Sequence, residues 1–365
     1  MSELTSPAGP PAEITHLVRE RTEARARRDW ARADALKAEI EAAGWRLVDR
    51  GNRTSVSPAA PATVEVEGER RYGSASAVPS LLEAPPTAAW SIVVLASEQP
   101  DRVSRLLTSL RATAPAGTAA VIVVNDPSDA QSAALAADAP DRAPIGALVP
   151  EVLRTSTRLG YAAALNIGLR RATGEFVLIA DATAWATGDA LAPLAAALHD
   201  PAVAAAGGFG LWAEAAGPLR PNALHREPAA DETTADATAL EGAWLAFRRD
   251  DYQTLGPLDE RFVTPAWLDV WWTLRLRAGA EPEGAEYVES DLADQSEEAA
   301  ADATARSDAP DGAVHEIEMP APRRAQVVDL PLARDDVDWP PDRSRLNRRN
   351  MYRVLDRFGW REDLD

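Results

Sequence analysis

The sequence predicts an α/β fold whose sheet is parallel at its start, preceded by an α-helical hairpin. Three observations carry this expectation. Short apolar runs, SIVVLA (91–96) and AVIVVND (120–126), flank the helix-patterned stretch DRVSRLLTSLRAT. Uninterrupted runs of that length suit strands buried on both faces, as in parallel sheets. The alternation resumes with YAAALNIGLRRAT and FVLIAD, so helix and strand recur in the order of βαβ units. Ahead of this region, the segment 12–56 reads as two charged helices.

In the first helix Ile14, Leu17 and Val18 share a face. Asp29 is a plausible N-cap for the second, in which Trp30, Ala33, Leu36 and Ile40 lie together and Gly44 is placed to end the helix. Residues 57–89 are rich in Pro, Ser, Ala and Glu without periodicity and read as a linker. The α/β domain then covers 90–280 and resumes over 325–360, with Val103, Leu106, Leu107 and Leu110 on the buried side of its first helix. Between these parts lies an insertion, 281–324. Its 281–318 stretch carries thirteen acidic residues against one arginine and few large apolar side chains, so disorder is expected there. Ligands of such sheets sit at the carboxyl ends of strands. The polar residues falling there are Ser97 and Glu98, Asn125 and Asp126, and Asp181.

Composition narrows the chemistry. At 365 residues and 46% apolar, one substantial domain with an appendage fits better than two equal halves. Cysteine is absent, which excludes disulfides, thiolate metal sites and a cysteine nucleophile. The net charge of −19 makes nucleic acid an unfavoured partner. No apolar run approaches the ~20 residues of a membrane span, and MSELTSPAGPPAEI lacks the pattern of a signal peptide. The cytoplasm, free or peripheral to the membrane, is the expected location.

Four blocks in order, SIVVL, VIVVNDPSD, RTSTRLGYAAALNIGLRRATGEFVLIAD and LEGAWLAFRRDDYQTLGPLDERF, resemble the family-2 glycosyltransferases. The resemblance covers roughly 90–280 and resumes near 325. It implies a Rossmann-like A-type glycosyltransferase domain acting on a nucleotide-diphosphate sugar. It puts Asp126 on the donor nucleoside, where a carboxylate accepts charge-assisted hydrogen bonds, and Gly160 and Asn166 beside the donor. Asp181 matches the first of two carboxylates that hold a divalent cation, Mg or Mn, on the donor phosphates. The second is replaced by Thr183. Asp269, in PAWLDVWW, matches the general base that takes the acceptor proton, with Leu268 in place of its acidic neighbour. Trp267, Trp271 and Trp272 offer a sugar platform or a buried aromatic cluster. Where some members carry a histidine after QVVDLPLA, this chain has Arg334, Asp335 and Asp336, and either acid is a candidate oxygen ligand. Each of these acids also has a plainer reading: Asp126 and Asp181 as turn or capping acids, Asp269 as a solvated acid at a helix start.

The segment HLVRERTEARARRDWARADALKAEIEAAGWRLVDRGNRTSV is similar to the small C-terminal helical domain of cysteinyl-tRNA synthetases. Acids interleaved with its arginines favour docking of a protein partner, or self-association, over RNA binding. Two functions follow from the whole. One is an inverting transferase that moves a sugar to a glycan or lipid-linked acceptor, in polysaccharide assembly by analogy. The other is a catalytically impaired protein of the same fold serving as a binding or scaffold module.

Overall fold

A computed structural model describes residues 10–50, 53–96, 100–125, 148–213, 224–225, 234–279, 322–335 and 344–358. The chain divides into two compact units, Met1–Ala62 and Thr63–Asp365.

The first unit begins with α1 (Ala12–Ala26) and α2 (Trp30–Ala42). The Asp29 side chain caps α2 by accepting the Arg32 amide at 3.1 Å, and Gly44, at φ +81°, follows its end. Ile14, Ala24, Ala33, Leu36 and Ile40 are buried. The expected helical hairpin stops there, and the rest of the 12–56 segment is corrected to a β-hairpin. Strands β1 (Trp45–Arg50) and β2 (Arg53–Pro58) pair antiparallel, with Arg50 opposite Arg53. The pair Gly51-Asn52, which joins WRLVDR to RTSVSP in sequence, is a hairpin signal that the helical reading passed over. Buried Arg21 donates to both carboxylate oxygens of Asp49, at 3.0 and 2.7 Å, and Arg25 approaches the same group at 2.7 Å. These contacts fasten the β-hairpin to α1.

The second unit contains β3 (Val64–Val66), β4 (Glu69–Tyr72), β5 (Ala88–Ala96), α3 (Pro100–Thr113), β6 (Thr118–Val124), β7 (Leu148–Thr155) and α4 (Tyr161–Leu169). It continues with β8 (Gly174–Ala180), β9 (Ala184–Ala186), α5 (Leu191–Leu198), β10 (Val203–Gly207), β11 (Gly210–Ala213), β12 (Leu224–His225), β13 (Thr234–Ala237) and β14 (Ala239–Leu240). It closes with β15 (Trp244–Arg248), α6 (Arg249–Leu255), α7 (Leu268–Ala278), β16 (Arg324–Val328), β17 (Leu332–Arg334) and α8 (Arg345–Phe358). Ten strands form one sheet in the order β13-β16-β10-β15-β8-β5-β6-β7-β4-β3. Strands β8, β5, β6, β7 and β4 run parallel, and β15 enters antiparallel between β8 and β10. This is the Rossmann-like α/β sheet expected from the sequence.

Alternate residues along the strands feed opposite faces. Val93, Val121 and Val123 pack with Leu165, Ile167, Trp272 and Phe358 on one side. Ile92, Val94 and Ile122 pack with Leu106, Leu110 and Leu194 on the other. The close seat of α4 depends on Gly168, where a Cβ would meet Val93 Cγ1 at 2.6 Å and Val123 Cγ2 at 3.0 Å.

The linker expected at 57–89 is a second correction. Strand β4 pairs parallel with β7, Ala75 and Val78 are buried, and Arg170 donates through Nε to the Val78 carbonyl at 2.9 Å. Strand β4, ERRY, lies between β7 and the three-residue edge strand β3; both are short and charged and lack the apolar run of the central strands, so their composition resembles that of a linker. Most of the acidic insertion expected at 281–324 lies outside the described residues.

Candidate active site

The centre of the second unit is built where β8 ends. Asp181 follows that strand, and its amide donates to the Ala243 carbonyl at 2.9 Å. Its Oδ1 accepts the Thr183 amide at 2.8 Å, a local turn bond of the kind Asp makes readily. The turn leads into β9, and β17 returns to pair with it antiparallel, Arg334 opposite Ala184. The Asp335 amide then donates to the Thr183 carbonyl at 2.8 Å. The C-terminal segment is thereby stitched to the Asp181 turn.

Asp269 lies in the first turn of α7. It follows Trp267, whose φ of +69° places a bulky residue in the left-handed region, a conformation that costs of order 1–3 kcal/mol and clusters at functional sites. Asp269 Oδ1 accepts the Val270 amide at 2.9 Å and Oδ2 accepts the Gly242 amide at 2.8 Å. Gly242 is required for this approach, because a Cβ there would stand 3.2 Å from Asp269 Cβ and 3.5 Å from Oδ2. Burial pushes the Asp269 carboxyl up to about 6, against the opposing pull of the Gly242 and Val270 amides and with a further upward push from the Glu241 charge. A group titrating there is ionised at neutral pH yet more basic than an ordinary carboxylate, the property a general base needs.

The segment Glu241–Ala243 joins these parts. Ala243 accepts from Asp181, Gly242 donates to Asp269, and Glu241, buried, accepts from Arg334 Nη1 at 3.1 Å. The Arg334 guanidinium also lies over the Phe209 ring at 4.2 Å. A cavity of about 340 Å³ opens between them, lined by Asp181, Thr183, Glu241, Gly242, Asp269 and Arg334 on its polar side and by Tyr161, Trp267 and Trp272 among its apolar walls. Burial, with the charges of Asp181 and Asp269 behind it, raises the Tyr161 phenol above its ordinary value, so it stays protonated as a hydroxyl donor.

The structure thus brings Asp181 and Asp269 to one cavity, which Gly160 and Asn166 do not line. Asp126, Ser97 and Glu98 lie outside the described residues. Asn125 is buried and locks the loop before α4, exchanging hydrogen bonds with the Leu159 amide and carbonyl at 2.9 Å each. Gly160 packs against Val263, 3.1–3.4 Å from where a Cβ would sit, and the Tyr161 and Ala162 amides of that helix start donate to the Val263 and Phe262 carbonyls. Asn166 is corrected from a donor contact to a structural residue. It is fully buried, its amide donates to the Leu258 carbonyl and Glu260 Oε1, and its oxygen accepts from Tyr252 and the Leu258 amide. That uses its full hydrogen-bonding capacity.

Asp335, a candidate oxygen ligand, is held by Arg102 at 3.0 Å and Arg105 at 2.9 Å, and it is Arg334 that enters the cavity. Asp336 lies outside the described residues. The tryptophans follow the aromatic-cluster reading: all three are buried, Trp271 and Trp272 stack at 6.2 Å, and Trp272 meets Phe247 edge-on at 5.5 Å. Trp267 and Trp272 also wall the cavity. Glu241, Gly242 and Tyr161, which the sequence did not single out, and Arg334, to which it gave no role, complete the site around the two aspartates. The block LEGAW pointed to this segment, and nothing in it marked which residue would do what.

A divalent cation needs several oxygen ligands. Among the described residues no group of three or more His, Asp or Glu side chains comes together to hold one. Asp181 shares one oxygen with the Thr183 amide, and a guanidinium occupies the same cavity. These residues do not fit a cation cage.

Residues 91–255, just under half the length of the chain, match the model of Glycosyl transferase family 2. A stretch of 61 residues, 16% of the chain, is 44% identical to cysteine–tRNA ligase of Opitutus terrae and spans 13% of that protein. Among solved structures, the chain is similar to a mannosyltransferase of Pyrobaculum calidifontis in complex with GDP-Man and Mn2+, at 21% identity and TM-score 0.39, covering 64% of this chain and 68% of that one. It is similar to GalNAc-T7 with UDP, GalNAc and Mn2+ at 13% identity and TM-score 0.46, covering 74% and 48%. It is similar to S. aureus TarS in complex with UDP at 18% identity and TM-score 0.38, covering 51% and 54%. The chain thus spans about half the length of the last two. No helix among the described residues is long and apolar enough to cross a membrane.

Proposed function

We propose that the chain is a nucleotide-sugar-dependent glycosyltransferase that moves a sugar, with inversion, to the hydroxyl of a glycan or lipid-linked acceptor. The observation that carries this is the pairing, in one cavity of the family domain, of the strand-end carboxylate Asp181 with the half-buried Asp269, whose pKa is raised to about 6. The acceptor oxygen attacks the anomeric carbon as Asp269 takes its proton, and the bond from that carbon to the phosphate oxygen breaks with its electron pair leaving on the nucleoside diphosphate. The 2.8 Å bond from Gly242 fixes the base in place. Asp126 takes the nucleoside, by resemblance, and Asp181 lies on the donor side. The Tyr161 hydroxyl is a donor available to the sugar.

The scaffold reading is favoured by Thr183 and Leu268, which replace two carboxylates of the family pattern. Against it stand Asp126 and Asp269, which match the family pattern. Calorimetric titration with UDP, GDP and dTDP, beside Asp126→Ala and Asp181→Ala variants, separates the two. Saturable binding of one nucleotide, weakened by either substitution, supports the transferase. No binding by the folded protein supports the scaffold.

A further inference from the structure

The cavity holds a cation of its own. Arg334 lies on β17 beside the Asp181 turn, and its side chain is 27% exposed. Only Nη1 is engaged, with Glu241, while Nε and Nη2 have no hydrogen-bond partner among the described residues. The Phe209 ring at 4.2 Å and the Glu241 carboxylate fix the plane of the guanidinium while leaving part of its fork toward the cavity. A fork so held is pre-organised for bidentate contact with phosphate oxygens. Thr183 stands where the resemblance implies a second metal carboxylate, and the neighbouring acid Asp335 is paired with Arg102 and Arg105.

We infer that Arg334 binds the diphosphate of the donor and meets the charge on the departing nucleoside diphosphate, in place of a divalent cation. The inference rests on the transferase reading above. In the transfer step the electron pair of the broken bond passes to the phosphate oxygen next to the sugar. The Arg334 N–H groups donate hydrogen bonds to the phosphate oxygens that take up this charge, as preorganised cations do in phosphate-leaving reactions. Glu241 keeps the guanidinium oriented and lowers its net charge in the empty cavity.

The test compares nucleoside diphosphate with monophosphate. Affinities for UDP and UMP, GDP and GMP, and dTDP and dTMP are measured by calorimetry in EDTA and in Mn2+, for the wild type, Arg334→Ala and Arg334→Lys. In EDTA the wild type should bind the diphosphate of its preferred base about ten- to a hundredfold more tightly than the monophosphate, the range of one or two charge-assisted contacts. Mn2+ should change this ratio by less than about threefold, within the usual scatter of such contacts. Arg334→Ala should bring the ratio close to one while leaving monophosphate binding in place, an effect that a merely structural role, weakening both ligands alike, would not produce. Arg334→Lys, which keeps the charge without the fork, should fall between. Diphosphate binding only with Mn2+, or a ratio unchanged in the variants, overturns the inference and leaves the transferase reading standing. No binding of any nucleotide by the folded wild type overturns both. If Arg334→Ala fails to fold, the Lys variant and the Mn2+ comparison decide.

Discussion

Acidification through pH 6 tests whether Asp269 takes the acceptor proton. With the carboxyl at about 6 in the folded protein, about nine-tenths of the enzyme is in the basic form at pH 7 and about one-tenth at pH 5. The transfer rate at saturating donor should therefore fall about tenfold over that interval, with the slope of a single proton. A carboxyl at its ordinary value of 3.8 would lose less than about a tenth of its activity there. Asp269→Asn should remove the dependence and lower the rate about 10²- to 10⁴-fold. The same shift has a sign in stability. Because the folded value is raised, the contribution of this group is fully present below 3.8 and is lost as pH rises through about 6, a change of about 3 kcal/mol. Asp269→Asn keeps one acceptor for the Gly242 and Val270 amides and does not titrate, so its melting temperature should fall less between pH 5 and pH 7.5 than that of the wild type. Rates are followed by release of nucleoside diphosphate from pH 5 to 8, and stability by thermal melts of both proteins. A flat profile from pH 7 to 5, or a variant that keeps the wild-type rate, would refute the assignment.

Other consequences follow from the same contacts. Gly242→Ala should lower the rate more than it lowers the melting temperature, since its Cβ presses on the base at 3.2 Å; equal rates in the two proteins would contradict this. Asn166→Ala, which strips a buried side chain of its four bonds, should cost about 3 kcal/mol or more in denaturant unfolding. Gly168→Ala should cost about 1–3 kcal/mol by overpacking against Val93 and Val123, read in the same experiment. In the first unit, the Arg21 hydrogen bonds hold the Asp49 carboxyl well below its ordinary value. Their stabilisation is present above pH 3.8 and lost as pH falls below it. Protection factors of the β1 amides, taken against the intrinsic exchange rate at each pH, should fall at acid pH in the wild type and already at neutral pH in Asp49→Asn.

What the sequence made legible was what local pattern governs. Strands β5, β6 and β8 are apolar runs, α3 carries its apolar stripe at helical spacing, and Asp29 and Gly44 bound α2 as their side-chain chemistry requires. Pairing between distant segments left weaker traces. The edge strand β3 and its neighbour β4 have the composition of a linker, and β1 and β2 were hidden by the helices before them. In the site, the two aspartates were legible because each ends or begins an element. The contribution of Arg334 depends on β17 returning to β9, and that of Gly242 on α7 crossing the segment after β14. Neither contact has a local signature. Asn166 shows the converse: a motif position whose side chain serves packing, which only the contacts of the 258–260 loop reveal.

The measurement that bears most directly on the central claim is release of nucleoside diphosphate from a panel of UDP-, GDP- and dTDP-sugars, by the wild type and by folded Asp269→Asn. The account predicts turnover of at least one donor by the wild type and a drop of about a hundredfold or more in the variant. Turnover that survives the substitution, or none from any donor by a protein that binds nucleotide, would contradict it.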